Sequence, residues 1–107
     1  MNKLNISVPK SSDWSIKFIL PDTINGIDTS TLNPLFLVRD TNSPQGSLLI
    51  NATNIEVLNG ECVVTIPYDI SRGITVKTGY YNFILYNTEH EFRMCEGNVL
   101  FTETLRQ

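Results

Sequence analysis

The chain has one histidine, His90, and it lies between two glutamates, Glu89 and Glu91. Imidazole and carboxylate groups are common metal ligands, so this triplet could in principle hold an ion. Consecutive side chains of an extended chain point in alternating directions, however, so the three groups do not converge without help from elsewhere. The triplet is therefore predicted to be a solvated hairpin tip, and the sequence predicts no metal site and no cofactor.

Two cysteines, Cys62 and Cys95, are the other candidates for reactive groups. A nucleophilic cysteine needs a neighbouring base, and neither cysteine has a histidine close to it in sequence. Two interpretations stay open, because the residues lie 33 positions apart without a CxxC pairing. They are buried free thiols in a reducing compartment, or a disulfide that joins two sheets. The carboxylates are scattered and the glycines isolated, so no catalytic residue is predicted and the chain is not expected to be an enzyme.

Size and charge narrow the class of partner. The 107 residues fit one domain, 18% of them are charged, and the formal net charge is −3. No cluster of lysine and arginine is present to replace the counterions of a phosphate backbone, so neither nucleic acid nor an anionic membrane is expected as a partner. The start of the chain lacks the apolar core of a signal peptide, and no apolar stretch reaches the length of a membrane span. These features predict a protein that is made and kept in a reducing cytoplasm.

Short alternating runs bounded by glycine, proline and asparagine fill the chain, and this spacing is typical of strands and turns. The best turn signal, Asn59-Gly60, predicts a type I′ hairpin. Strands are predicted at 13–20, 35–38, 47–50, 54–58, 61–66, 80–86, 91–95 and 99–102, with one helical turn at 68–74. The pattern predicts an all-β, immunoglobulin-like antiparallel β-sandwich of seven or eight strands. Residues 1–12 are predicted to form an N-terminal arm with a loose edge strand at 4–8, and residues 13–107 the single sandwich domain.

Two glycines in the C-terminal half carry more detailed expectations. Gly79 stands two positions before Tyr81, which is the pattern of a tyrosine corner, where the hydroxyl bonds back to the preceding turn. Lys77 takes the place of the usual aspartate, so an ordinary core aromatic is the other interpretation of Tyr81. Gly97 is predicted to mark a bulge or a bend in its strand.

Several strands carry large apolar side chains on both faces, and the clearest example is 80–86, where Asn82 is the only clearly polar residue. A sheet built from 35–38, 48–50 and 80–86 would carry an apolar outer patch larger than a soluble monomer usually exposes. We therefore expect a partner to cover this face, and coverage by the 1–12 arm or the 21–33 loop is the alternative. The contact candidates are Phe36, Leu49, Tyr80, Ile84 and Tyr86, together with the arm.

The order of several short motifs resembles a known family. The motifs are Trp14-Ser15-Ile16-Lys17-Phe18, Phe36-Leu37-Val38-Arg39-Asp40, Asn59-Gly60-Glu61, Gly79-Tyr80-Tyr81-Asn82-Phe83, Glu89-His90-Glu91 and Gly97-Asn98-Val99. In this order they are similar to small immunoglobulin-like β-sandwich virion proteins of tailed bacteriophages, over residues 13–106. The resemblance implies a non-enzymatic structural component of the tail, baseplate, neck or capsid surface, assembled in a bacterial host cytoplasm. Its implied partners are other virion proteins and copies of itself, and it carries over no functional residue.

A carbohydrate- or receptor-binding module is the alternative function. In that case exposed aromatic rings would stack on sugar rings, and the candidates are Trp14, Tyr68, Tyr80 and Tyr86.

Overall fold

Strands make up most of the computed structural model, which describes residues 2–10, 12–43 and 45–102, with Asn2 as backbone only. In chain order the strands are β1 (Asn2–Lys3), β2 (Ile6–Pro9), β3 (Trp14–Ile19), β4 (Thr23–Ile24), β5 (Ile27–Asp28), β6 (Asn33–Arg39), β7 (Leu48–Asn51), β8 (Asn54–Leu58), β9 (Glu61–Ile66), β10 (Thr78–Tyr86) and β11 (Glu91–Thr102). A 3-10 turn (Thr29–Thr31) precedes β6, and helix α1 (Tyr68–Ser71) follows β9. Within the described ranges, eight strands have four residues or more; the strands predicted at 91–95 and 99–102 are one strand, β11, and β2 lies in the predicted arm. None of the helices in these ranges combines the length and the hydrophobicity that a membrane span needs.

The strands form two main sheets that pack face to face. The large sheet has the order β1-β11-β10-β6-β7, with β2 also paired to β11, and the small sheet has the order β3-β9-β8. Strands β1 and β2 run parallel to β11, and the other pairs are antiparallel. The predicted immunoglobulin-like sandwich is confirmed.

An aromatic cluster joins the two sheets at the centre of the core. The ring of Phe18 on β3 stacks on Phe83 of β10, with ring centroids 4.2 Å apart, and Phe36 of β6 lies 6.3 Å from Phe18. Antibody domains place a disulfide between the corresponding strands and a tryptophan against it. Here three phenylalanines fill that space, while Cys62 and Cys95 are buried free thiols on β9 and β11. The structure therefore agrees with the first of the two interpretations of the cysteines, buried free thiols, and not with a disulfide between the sheets.

The segment predicted as an N-terminal arm belongs to the sandwich, which corrects the boundary placed after residue 12. Strand β2 pairs with residues 99–102 of β11, and β1 pairs with Cys95 and Glu96 in the same register. Ile6 and Val8 point into the core and are buried. The physical reason is that their side chains alternate with polar neighbours, so one face of this edge strand completes the core.

The two Asn-Gly turns have the conformation that their sequences favour. Asn59 and Gly60 have φ values of 52° and 76°, as a type I′ hairpin between β8 and β9 requires. Asn25 and Gly26 have φ values of 50° and 81° and connect β4 to β5. The hairpin predicted at Asn59-Gly60 is confirmed.

The tyrosine corner and the bulge at Gly97 are not formed, and Tyr81 is the buried core aromatic of the other interpretation. Both residues lie against Leu4. The Tyr81 hydroxyl donates to the Leu4 carbonyl at 2.6 Å, rather than to the turn before β10, and also lies 3.2 Å from Cys95 Sγ. At Gly97 the backbone of Leu4 comes so close that a Cβ would overlap its carbonyl. The bulge predicted at Gly97 lies instead where Phe83 pairs with Cys95 but Ile84 pairs with Arg93. Thus Tyr81 and Gly97 together position the N-terminal strand.

Candidate protein-interaction surface

The outer face of the large sheet, which is turned away from the small sheet, is the candidate site. Residues directly opposite one another on neighbouring strands lie on the same face, so the pairing register identifies its members. They are Asn33, Leu35, Leu37 and Arg39 on β6, Leu48 and Asn51 on β7, Thr78, Tyr80, Asn82, Ile84 and Tyr86 on β10, and Glu91, Arg93, Glu96, Asn98 and Leu100 on β11.

Two large side chains at the middle of this face are already closed over by neighbours within the chain. Tyr80 is 8% exposed and Ile84 is 7% exposed, although neither belongs to the core cluster between the sheets. Ile84 lies between its cross-strand partners Leu35 and Arg93. The Tyr80 hydroxyl donates to the buried carboxylate of Glu96 at 2.5 Å, so this carboxylate is hydrogen-bonded within the chain. Apolar contacts and polar pairs therefore share the centre of the face.

A shallow cavity of about 200 Å³ opens beside Ile84. Leu35 and Leu37 line it together with the cationic side chains of Arg39 and Arg93. The loop between β6 and β7 borders it through Asn42 and Ser43. This loop is closed at its base, where Asp40 N–H donates to the Ser47 carbonyl at 3.0 Å and Ser47 N–H donates to the Asp40 carboxylate at 2.9 Å. These two hydrogen bonds join the ends of the loop that borders the cavity.

Two of the five contact candidates face the core, which corrects the sequence-based expectation for them. Phe36 lies opposite Phe83 and is fully buried, because both belong to the inward face of the sheet. Leu49 packs against the core, since the pairing steps from Ile50–Val38 to Leu48–Arg39 and leaves Leu49 turned inward beside Gly79. This register shift between β6 and β7 cannot be predicted from the sequence Leu48-Leu49-Ile50, because all three residues are apolar.

The other three candidates, Tyr80, Ile84 and Tyr86, share the outer face as predicted. Only Tyr86, at 37% exposure, offers much surface to a partner. Whether these three residues bind a partner stays a prediction.

The outer face is a mixed surface and not the continuous apolar patch that was expected. Sequence reasoning considered β6, β7 and β10 but overlooked the outward polar residues of β11, which are Glu91, Arg93, Glu96 and Asn98. Their alternation with core residues in the sequence is the signal that could have revealed them. The exposed apolar groups lie around the periphery, at Leu48, Tyr86 and Leu100.

No family model and no curated protein matches the chain. Among solved structures, the chain is similar to the N-terminal four Ig domains of Dscam1 isoform 6.9, with 9% sequence identity and a TM-score of 0.45. That match covers 95% of this chain and 22% of the other, so the chain spans about a fifth of the four-domain protein.

The His90 triplet lies where the turn after β10 leads into β11, and the described residues contain no group of three or more histidine, cysteine or acidic side chains that could hold a metal ion. The Asn87 side chain accepts from the backbone N–H groups of Glu89 and His90 at 2.8 and 2.7 Å. The imidazole of His90 stacks on Phe92 with ring centroids 5.8 Å apart. Glu89, His90 and Glu91 are all exposed, as a solvated tip requires.

The free energy of unfolding is expected to fall as the pH rises above 9. The reason is that two tyrosine hydroxyls and one thiol, all buried, hold their protons more tightly in the folded chain than in the unfolded chain. The hydrogen bond to Glu96, followed by burial, raises the pKa of Tyr80 to about 12, and burial raises the pKa of Cys62 to about 11. Burial, followed by the hydrogen bond with Cys95, also raises the pKa of Tyr81. The ordinary values are 9.0 for cysteine and 10.0 for tyrosine, so above them the unfolded chain binds fewer protons than the folded chain. The stabilisation is therefore complete below pH 9 and is lost as the pH rises through the raised pKa values.

Urea denaturation across a pH series measures this loss. Tyr80→Phe is expected to flatten the decrease between pH 10 and 12, since the variant has no phenol at this position to titrate. Tyr86→Phe removes a hydroxyl from the exposed end of the same strand and is the matched control. An alkaline decrease of equal size in Tyr80→Phe and the parent would contradict the assignment.

Proposed function

We propose that this chain is a non-enzymatic structural module of a bacteriophage virion that assembles through the outer face of the large sheet and through strand edges. The observation that carries the assembly role is the make-up of the outer face, where arginine and aliphatic side chains line a cavity and Tyr80 and Tyr86 lie on the neighbouring part of the same face. Tyrosine and arginine are enriched at protein interfaces and among their energetically dominant residues. The mixed polarity suits a module that is stable before it docks.

The virion setting rests on the order of motifs that resembles tailed-phage modules. Its expected partners are other virion proteins and copies of the same chain, and its expected place is the particle assembled in the bacterial cytoplasm. Tail or capsid genes on either side of the coding gene would support this setting. Neighbouring genes for an unrelated pathway would count against it while leaving the assembly role open.

Replacing Leu48 and Tyr86 together with serine is expected to weaken self-association at least about tenfold, because two exposed apolar groups of the outer face are lost. Leu48 is 51% exposed, so neither substitution opens the core. Sedimentation velocity at increasing protein concentration measures the association, and circular dichroism checks the fold. Ile84→Asp, which the sequence alone would suggest, is a poor test because it places a carboxylate at a site that is 7% exposed.

The matched control is the pair Val57→Ser and Leu58→Ser on the small sheet, where the side chains are 43% and 71% exposed. Together these two groups are at least as exposed as Leu48 and Tyr86, so a general effect of surface hydrophobicity would act through them as well. The proposal expects little change in association from this pair. A parent protein that stays monomeric at every concentration, or an equal loss in both double variants, would contradict self-association through the outer face.

The aromatic residues expected of a carbohydrate-binding module do not form one platform. Trp14 packs against the core, and Tyr80 is buried with its hydroxyl on Glu96. Tyr68 has Arg72 over its ring at 5.5 Å and lies just after β9, whereas Tyr86 ends β10. No observation within the described ranges favours sugar binding over assembly.

A further inference from the structure

A second surface lies where the edges of the two sheets meet. An open cleft of about 580 Å³ separates the edge strand β3 and the residues after it from the N-terminal edge of the large sheet. Phe18 and Phe83, the stacked pair of the core, form part of its lining, and Leu4 and Ile19 stand exposed beside it. Its volume falls within the range of roughly 300–1,000 Å³ that is typical of ligand pockets.

One wall of this cleft is an unpaired strand edge. In the described part of the chain, β3 pairs with β9 on one side, and no strand pairs with its other side. Such an edge presents backbone N–H and C=O groups that an extended segment of another chain can bind by adding a strand. The backbone groups on the free edge of β3 can therefore form hydrogen bonds to an added strand, and the cleft beside this edge provides apolar contacts for its side chains.

The charges around the cleft indicate the character of the added segment. Lys3 and Lys17 line it, and no acidic side chain of the described residues does so. Lys17 pairs with Glu61 at 3.1 Å, but both side chains are about half exposed, and an exposed pair of this kind contributes little and can exchange partners. A segment that carries carboxylates between its apolar side chains complements this surface.

We propose that the β3 edge and its cleft bind an extended, acidic segment of a partner protein by strand addition, with apolar side chains in the cleft and a carboxylate near Lys17. This inference deepens the proposed function, because it names the chemistry of a partner at one strand edge. The residues of the cleft are different from those of the outer face. Peptide binding at β3 and self-association through the outer face can therefore be contradicted independently.

A second copy of this chain is a poorer occupant of the same edge. Two β3 strands related by a two-fold axis would pair antiparallel, and the central registers place the Lys17 side chains of the two copies opposite or diagonal to each other. Like charges at such positions destabilise pairing, and lysine on an edge strand discourages association between identical edges. The same lysine favours an acidic strand, so the charge argues for a different partner.

The test uses the full chain, labelled with nitrogen-15, and a short blocked peptide in which valine alternates with glutamate. Saturable shifts of the backbone amides of Trp14–Ile19, Lys3 and Leu4 are expected. A peptide in which lysine replaces glutamate is expected to bind at least about tenfold more weakly. Lys17→Glu should reverse this preference, whereas Lys77→Glu, a charge reversal outside the cleft, should preserve it.

Three results would overturn the inference. One is the absence of saturable shifts in the β3 amides with the valine–glutamate peptide. Another is a preference between the two peptides that Lys17→Glu leaves unchanged. The third is saturation of the cleft by laurate with no response to the peptide, which would assign the cleft to an apolar anion and not to a strand.

Discussion

Phe83→Ala is expected to lower the free energy of unfolding by about 3–5 kcal/mol, the usual cost of truncating a buried phenylalanine. Phe83 is almost fully buried, stacks on Phe18 and lies opposite Phe36, so its loss opens a cavity where the two sheets meet. Domains of this size have a total stability of about 5–15 kcal/mol, so the change removes a large share of it. Urea denaturation followed by far-ultraviolet circular dichroism measures the effect.

Phe92→Ala is the matched control for this prediction. Phe92 is half-buried and stacks on the exposed His90, so truncating its ring gives up less buried apolar surface than truncating Phe83. We expect Phe92→Ala to lower the free energy of unfolding clearly less than Phe83→Ala does. If the two variants proved equally stable, the Phe18–Phe83 stack would not be the main link between the sheets.

The sequence was sufficient wherever a local pattern determines the structure. The alternation of Trp14, Ile16 and Phe18 with polar neighbours predicts β3 and its inward face, because the strand period of two assigns each side chain. The Asn59-Gly60 turn is equally local, since positive φ values at both positions are a property of those two residues. Local signals of this kind were enough to identify the immunoglobulin-like sandwich.

The features that the sequence could not supply depend on distant parts of the chain. Tyr81 donates to Leu4, which lies 77 positions earlier, so its partner cannot be inferred from the neighbourhood of β10. Whether the Leu49 side chain points to the outer face or into the core depends on a register shift between β6 and β7. The character of the outer face depends in turn on β11, whose charged residues become its members only through pairing with β10.

The cleft beside β3 was missed for a related reason. Its walls come from residues near both ends of the sequence, including Leu4, Ile19 and Met94. Each of these has an ordinary local role as an edge or strand residue. Only the parallel pairing of the N-terminal segment with β11 brings them to one side of the sandwich. A candidate site formed by the edges of two sheets leaves no motif in the sequence.

Gly97→Ala is expected to release the N-terminal strand and to lower the free energy of unfolding by about 3 kcal/mol, near the upper end of the usual cost of overpacking. The added methyl group would overlap the backbone carbonyl of Leu4, and backbone cannot rotate aside as a flexible side chain can. Movement of Leu4 would also take its carbonyl from the Tyr81 hydroxyl and leave Cys95 Sγ, a weak acceptor, as the remaining partner of this buried donor. Hydrogen exchange should therefore accelerate at Ile6, Ser7 and Val8 before it does so in β10.

Gly73→Ala separates this steric effect from a general intolerance of alanine at glycine positions. A Cβ on Gly73 would meet the Ile70 carbonyl at 3.5 Å, an ordinary contact, so this variant is expected to stay within about 0.5 kcal/mol of the parent. The pair of variants also tests how the cleft is built, because Leu4 lines it only while the N-terminal strand is held against β11. Gly97→Ala should weaken binding of the valine–glutamate peptide, and Gly73→Ala should not. Unchanged exchange at Ile6–Val8 in Gly97→Ala would show that β11 accommodates the methyl group and that Gly97 does not position this strand.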